Sequence, residues 1–158
     1  MAKLWERTKD QAIKYNRDYY ITKYQDDEEF ELYDVYIDIT GEKRIPKRWE
    51  MVRLLHDIEL GRVNCIAVQT KAYLAANTDE FSCLLKYVFE MKQRVDIITE
   101  DRQYNINTII NADHQREALL KMANDIIDLK PRIYTTWCAD LLKSMNDLDD
   151  HKESRYRV

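Results

Sequence analysis

"DVYIDITGEKRIPKRWEMVRLLHDIELGRVNCIAV", residues 34–68, carries three different periodicities in one uninterrupted run. At its start Val35, Ile37 and Ile39, with Tyr33 just ahead of them, alternate with mostly polar neighbours, the period-two pattern of a half-buried strand. The stretch "TGEKRIPKR" (40–48) then holds one of the two glycines and one of the two prolines of the chain, and reads as a basic loop. Met51, Leu54, Leu55 and Ile58 follow at i, i+3, i+4 and i+7, which predicts a helix, with Gly61 placed to stop it. "VNCIAV" (63–68) closes the run as a short buried strand. A strand, a helix and a second strand in this order predict an α/β fold with parallel pairing.

Working outward, Thr8 and Gln11 have the spacing of a capping box and predict a helix over about 9–25. Ile13, Tyr20 and Tyr24 form its apolar face, and the acidic run "DDEE" (26–29) ends it. On the other side, Asn77 or Thr78 caps a helix whose core face is Phe81, Leu84, Leu85 and Val88. "VDIITE" (95–100) is another short strand, and "NINTII" (105–110) fits strand or loop. Ala118, Leu119, Met122, Ala123, Ile126 and Ile127 predict a helix over about 113–129 that must stop near Pro131. A last helix, about 133–148, carries Trp137, Leu141, Leu142 and Met145. The expected fold is therefore α/β, a mostly parallel sheet of about four strands with helices on both faces. Its domain spans 1–130, with a C-terminal helix and short tail, 131–158, packed on it. In such sheets ligands sit beyond the carboxyl ends of the strands.

Composition narrows the function classes. With two Gly in 158 residues there is no Gly-rich phosphate loop and no dinucleotide fingerprint. A net charge of −4 excludes a surface built throughout to neutralise phosphates, so nucleic acid would be met only by a local patch. Cys65, Cys83 and Cys138 are scattered singly and far from His56, His114 and His151, which predicts buried free thiols, with neither a zinc site nor a disulfide framework. No metal and no cofactor is expected. No apolar run approaches the roughly 18 residues of a membrane span, and no apolar leader opens the chain, so a cytoplasmic protein without membrane contact is expected.

The order and spacing resemble the catalytic domain of the serine recombinases, the resolvase and invertase family, from about residue 4 to residue 127. Tyr36, Asp38, Arg48, Leu54, Leu55, Ile58, Gly61 and Ile66 stand where that family has a Tyr-x-Asp strand end, a mobile loop, an Arg-Pro lead-in, a helix ending in Gly and a buried strand. After that strand the family places Asp-Arg-Leu-x-Arg-Asn, whereas this chain has Ala72, Tyr73, Leu74, Ala75, Ala76 and Asn77. At the start, "LWERTKDQ" lies against Ala-Arg-Val-Ser-Thr-x-x-Gln, which puts Trp5 at a catalytic Arg and Arg7 at the nucleophilic Ser, while Thr8 and Gln11 are kept. Such a nucleophile attacks a DNA phosphodiester while arginines stabilise the transition state, and losing one such donor costs about 10²- to 10³-fold in rate. The resemblance therefore implies a scaffold with an erased active site: Trp5, Arg7, Ala72, Tyr73 and Ala76 are degenerate, and Gln11, Asp38 and Arg48 are retained. Two further departures stand out. The family's first strand is central and apolar, whereas "MAKLWE" carries Lys3 and Glu6, and the family's long pairing helix is here cut by Pro131.

Lys43, Arg44, Lys47 and Arg48, with Arg53 one turn further on, are the candidate DNA-binding residues, because several cations on one loop displace counterions from a duplex. Asp38, Glu42, Glu50 and Asp57 lie close enough in sequence to oppose them. The expected partners are DNA phosphates and either a second copy or an active recombinase subunit, in a non-catalytic binding or assembly role. Two alternatives stand beside this. One is a working recombinase using Thr8, Asp38 and Arg48; the other is a receiver-like or flavodoxin-like interaction domain without nucleic acid.

Overall fold

The computed structural model describes residues 2–38, 41–69, 71–101, 106–109 and 113–156, with side chains described for 10–38, 41–69, 72–99 and 115–148. It opens with helix α1, Ala2–Tyr24, not with a strand. Residues 2–7 are Ala, Lys, Leu, Trp, Glu and Arg, mostly strong helix formers with no breaker among them, so the helix runs back past the expected start. Thr8 consequently lies inside α1 and is not its cap, and "MAKLWE" is not a sheet strand. The side chains of Trp5, Arg7 and Thr8 lie outside the described residues. After α1, the Asp27 carboxylate accepts from the amides of Glu29 (2.8 Å) and Phe30 (2.9 Å), a local turn that sends the chain into an extended segment.

That segment, 30–38, contains most of the alternation expected to form a strand, yet no ladder joins it to the sheet of the described residues. Ile39 and Thr40 lie outside the described residues. The loop that follows is less free than a mobile basic loop: a 3-10 turn, Ile45–Lys47, buries Ile45 and Pro46. Helix α2, Trp49–Glu59, buries Met51, Leu54, Leu55 and Ile58 as their spacing predicts. Gly61 stops it in the left-handed region at φ +77°, where a side chain would be strained, and its amide donates to the Ile58 carbonyl at 3.0 Å.

The sheet has three strands in the order β1 (Cys65–Val68), β2 (Asp96–Asp101) and β3 (Ile106–Ile109). β1 and β2 are parallel, with Cys65 opposite Asp96 and Val68 opposite Thr99, and β3 is antiparallel to β2. The molecule is thus mixed α/β, and the mostly parallel sheet of about four strands is corrected to one parallel pair with an antiparallel third strand. The ambiguous stretch 105–110 supplies that third strand, although residues 105 and 110 lie outside the described residues. Helix α3, Thr78–Phe89, makes the crossover between β1 and β2, and Asn77 is its cap, accepting from the Glu80 amide at 2.9 Å.

Helices α4, Asp113–Leu129, and α5, Arg132–Tyr156, complete the fold. Ala123 and Ile127 of α4 are buried, while Met122 is exposed. Trp137, Leu141 and Met145 of α5 enter one core with Leu55, Ile58, Leu84, Leu85, Val88, Phe89 and Ile97, whereas Leu142, expected beside them, points to solvent. Adjacent helical residues differ by about 100° in direction, so Leu141 and Leu142 cannot share the narrow stripe that α5 buries. Among the described residues no helix is long and apolar enough to cross a membrane.

Candidate functional site

Asp38, the last described residue of the extended segment, aims its carboxylate at the N-terminus of α2. It accepts from the Glu50 amide at 2.9 Å and the Met51 amide at 3.1 Å, and the Arg48 Nε lies 3.3 Å away. A helix start leaves its first amides without intrahelical partners and carries partial positive charge, so a carboxylate there is doubly favoured. Arg48 reaches on from Asp38 and donates through Nη1 to the Leu74 carbonyl at 3.3 Å. Asp38 and Arg48 are therefore joined to each other and to backbone.

Two further contacts tie the segment to α2 at the same period of two. Arg53 donates to Asp34 at 2.7 Å and to Glu50 at 2.8 Å, and its guanidinium lies 4.2 Å from the centre of the Tyr36 ring. The Tyr36 hydroxyl donates to Asp57 at 2.6 Å, and Asp57 also pairs with Arg62 at 3.3 Å. Burial, then the hydrogen bond to the Asp57 carboxylate, pushes the Tyr36 phenol far above its ordinary range, so it stays protonated. Asp34, Tyr36 and Asp38 thus all face α2, which is why polar residues alternate here with Val35 and Ile37.

Behind the segment lies a half-open cavity of about 1170 Å³. Asp38, Arg48, Ala72, Tyr73 and Ala76 all line it, so the structure gathers these five of the positions singled out in the sequence around one space. Gln11 is exposed on α1 and does not line it. Past the carboxyl end of β1, where an α/β enzyme keeps charged catalytic groups, the described side chains that the following turn brings to the lining are Gln69, Ala72, the half-exposed Tyr73 ring, Leu74, Ala75 and Ala76. Among the described residues no group of three or more His, Cys, Asp or Glu is placed to hold a metal ion. The thiols are held protonated: burial, with Asp96 and Glu29 nearby, pushes Cys65 up to about 11, and burial raises Cys83 to about 12.

The five candidate DNA contacts separate into two sets. Arg48 and Arg53 are part-buried and committed to Asp38, Asp34 and Glu50. Lys43, Arg44 and Lys47 are exposed, with Arg44 making only a long surface pair to Asp140 at 3.8 Å. Sequence reasoning missed one node altogether. Glu80, 6% exposed, accepts from the Ile45 amide at 3.1 Å, the Ala76 amide at 2.9 Å and the Trp137 indole at 3.2 Å. It joins the basic loop, the lining of the cavity and α5 in one carboxylate. Its position three residues after the Asn77 cap is a signal that the sequence does contain.

No protein-family model, no curated protein and no solved structure matches this chain.

Proposed function

We propose that this chain is a non-catalytic binding or assembly module with a resolvase-like plan, acting with a partner in DNA recombination and not on a substrate. The observation that supports the reading is the closure of Asp38 on Arg48 and on the first turn of α2, beside Ala72, Tyr73 and Ala76. Phosphoryl transfer relies on cations and a nucleophile gathered at the reacting phosphate; of the described cations that line the cavity, Arg48 and Arg62 are tied to Asp38 and Asp57, and Lys43 stands exposed on the loop. The partner is a second copy or an active recombinase subunit, and the duplex is met through Lys43, Arg44 and Lys47.

The test is a fluorescence-anisotropy titration of a labelled random-sequence duplex at low and near-physiological salt. Binding by the wild type is expected to weaken with salt, with a log–log slope of roughly −2 to −3 for three phosphate contacts. A Lys43→Ala, Arg44→Ala, Lys47→Ala variant is expected to lose it. Unchanged binding by the variant would remove the DNA contact from this loop. Nicking of supercoiled DNA, or covalent attachment to it, by the purified protein would overturn the non-catalytic reading itself.

A further inference from the structure

The cavity is walled on two sides by backbone. Val63–Gln69 line it without a break along β1, and Glu29–Asp38 do so along the extended segment. Successive side chains of an extended chain point to opposite faces, so a wall formed by every residue in turn is an edge and not a face. The ladder says which groups lie on that edge. The Asp96 amide donates to the Asn64 carbonyl at 3.0 Å, which turns the even-numbered residues of β1 toward β2. In a parallel ladder the amides and carbonyls of Cys65 and Ala67 then point the other way, toward the cavity.

The opposite wall runs in the same direction. Glu29 lies close enough to Cys65 to raise its thiol, and at the far end Arg48 bridges Asp38 and the Leu74 carbonyl. Asp34, Tyr36 and Asp38 pin this wall to α2, so it is held away from β1 and does not pair with it. Two co-directional extended walls, one of them the β1 edge with the main-chain groups of Cys65 and Ala67 turned to the space between, are complementary to one more strand. The volume also exceeds the ~300–1,000 Å³ of ordinary small-molecule clefts. Met51, Leu54 and Ile66 line the interior, and the exposed Glu29 and Glu31 stand at the end where the walls begin.

We infer that this cavity is a strand acceptor: it takes an extended, largely apolar peptide segment of a protein partner, basic at the end that meets Glu29 and Glu31, by main-chain pairing with Cys65 and Ala67. The inference rests on the reading of the chain as a binding module and names how its protein partner attaches. A strand in this slot has one face toward Met51, Leu54 and Ile66 and the other toward the opening, so apolar residues suit alternate positions beyond the first. The cations of an incoming segment would sit at the acidic end, opposite in sign to Lys43 at the other.

The test uses the whole chain and a fluorescent acetyl-Arg-Val-Thr-Val-Thr-Val-amide probe, with a second probe N-methylated at alternate residues. Saturable binding is expected, at least tenfold weaker for the N-methylated probe, because only main-chain donors differ. Hydrogen exchange at the Cys65 and Ala67 amides is expected to slow on binding, while Ile66 and Val68, already turned toward β2, change little. A Glu29→Lys, Glu31→Lys variant is expected to lose affinity for this probe and regain it for one beginning with Glu. No binding at millimolar probe, or equal binding of both probes, would overturn the proposal. Protection of Cys65 and Ala67 that rises with protein concentration alone would assign the slot to a second copy, and protection by duplex DNA would assign it to nucleic acid; either overturns the peptide reading. Absence of peptide binding without DNA cleavage would remove the strand acceptor alone, whereas cleavage would remove the module on which it rests.

Discussion

Glu80 is a carboxylate taken out of water, and its burial is tolerable only because the Ile45 and Ala76 amides and the Trp137 indole all donate to it. Replacing it leaves two buried donors and one part-buried donor without an acceptor. Glu80→Ala is expected to lower stability by about 3 kcal/mol, and Glu80→Gln, which keeps one acceptor oxygen, by about half as much. Urea unfolding of the two variants checks this; equal midpoints with wild type would show that water replaces the carboxylate. At this scale the sequence was legible only locally. Asn77 and Thr78 both read as caps from their position, and the cap is Asn77. Glu80 sits three residues on, yet two of its three partners come from residues 35 and 57 positions away, which no local pattern can report.

Among the elements, α2 illustrates what periodicity tells and what it omits. The spacing of Met51, Leu54, Leu55 and Ile58 placed the helix and its buried face correctly, because both follow from side-chain direction. The alternation at 33–37 is equally real, but the alternate residues Asp34 and Tyr36 answer to Arg53 and Asp57 of α2. A period of two reports which side chains share a face; it does not report whether the backbone edge has found a neighbour. For the same reason periodicity alone predicts about four strands where the sheet has three, and the pattern of β3 fits strand or loop alike. Of the positions singled out in the sequence, Asp38, Arg48, Ala72, Tyr73 and Ala76 line one cavity and Gln11 does not, while Arg53, close to the basic loop along the chain, holds the extended segment. Asp38→Ala removes the acceptor for two amides of the first turn of α2, and about 1–2 kcal/mol of destabilisation is expected. Hydrogen exchange at Glu50 and Met51 is expected to accelerate more than at Leu55; uniform acceleration along α2 would mean that the carboxylate acts on the whole fold and not on the helix start.

For the whole molecule, the three thiols give a pH signature, since burial raises all of them above their ordinary value. A raised pKa means that the folded state holds its protons more tightly than the unfolded chain. The stability this contributes is present in full below about pH 9 and is lost as pH climbs toward about 11 for Cys65 and about 12 for Cys83. Chemical denaturation at pH 8, 9 and 10 is expected to show falling stability, and alkylation by iodoacetamide at pH 8 is expected to be slow until denaturant is added. Rapid alkylation of the native protein at pH 8 would contradict both. The same core has a consequence for synthesis. Ser144 of α5 donates to the Pro46 carbonyl, 98 positions back along the chain, and Trp137 and Leu141 close the core that α2 and α3 begin. At about 5–20 residues per second, a ribosome needs roughly 5 to 20 s to make that intervening stretch. Through that interval the nascent α2 has its apolar face formed without the α5 side chains that complete its cover, so this helix is a segment a chaperone would meet.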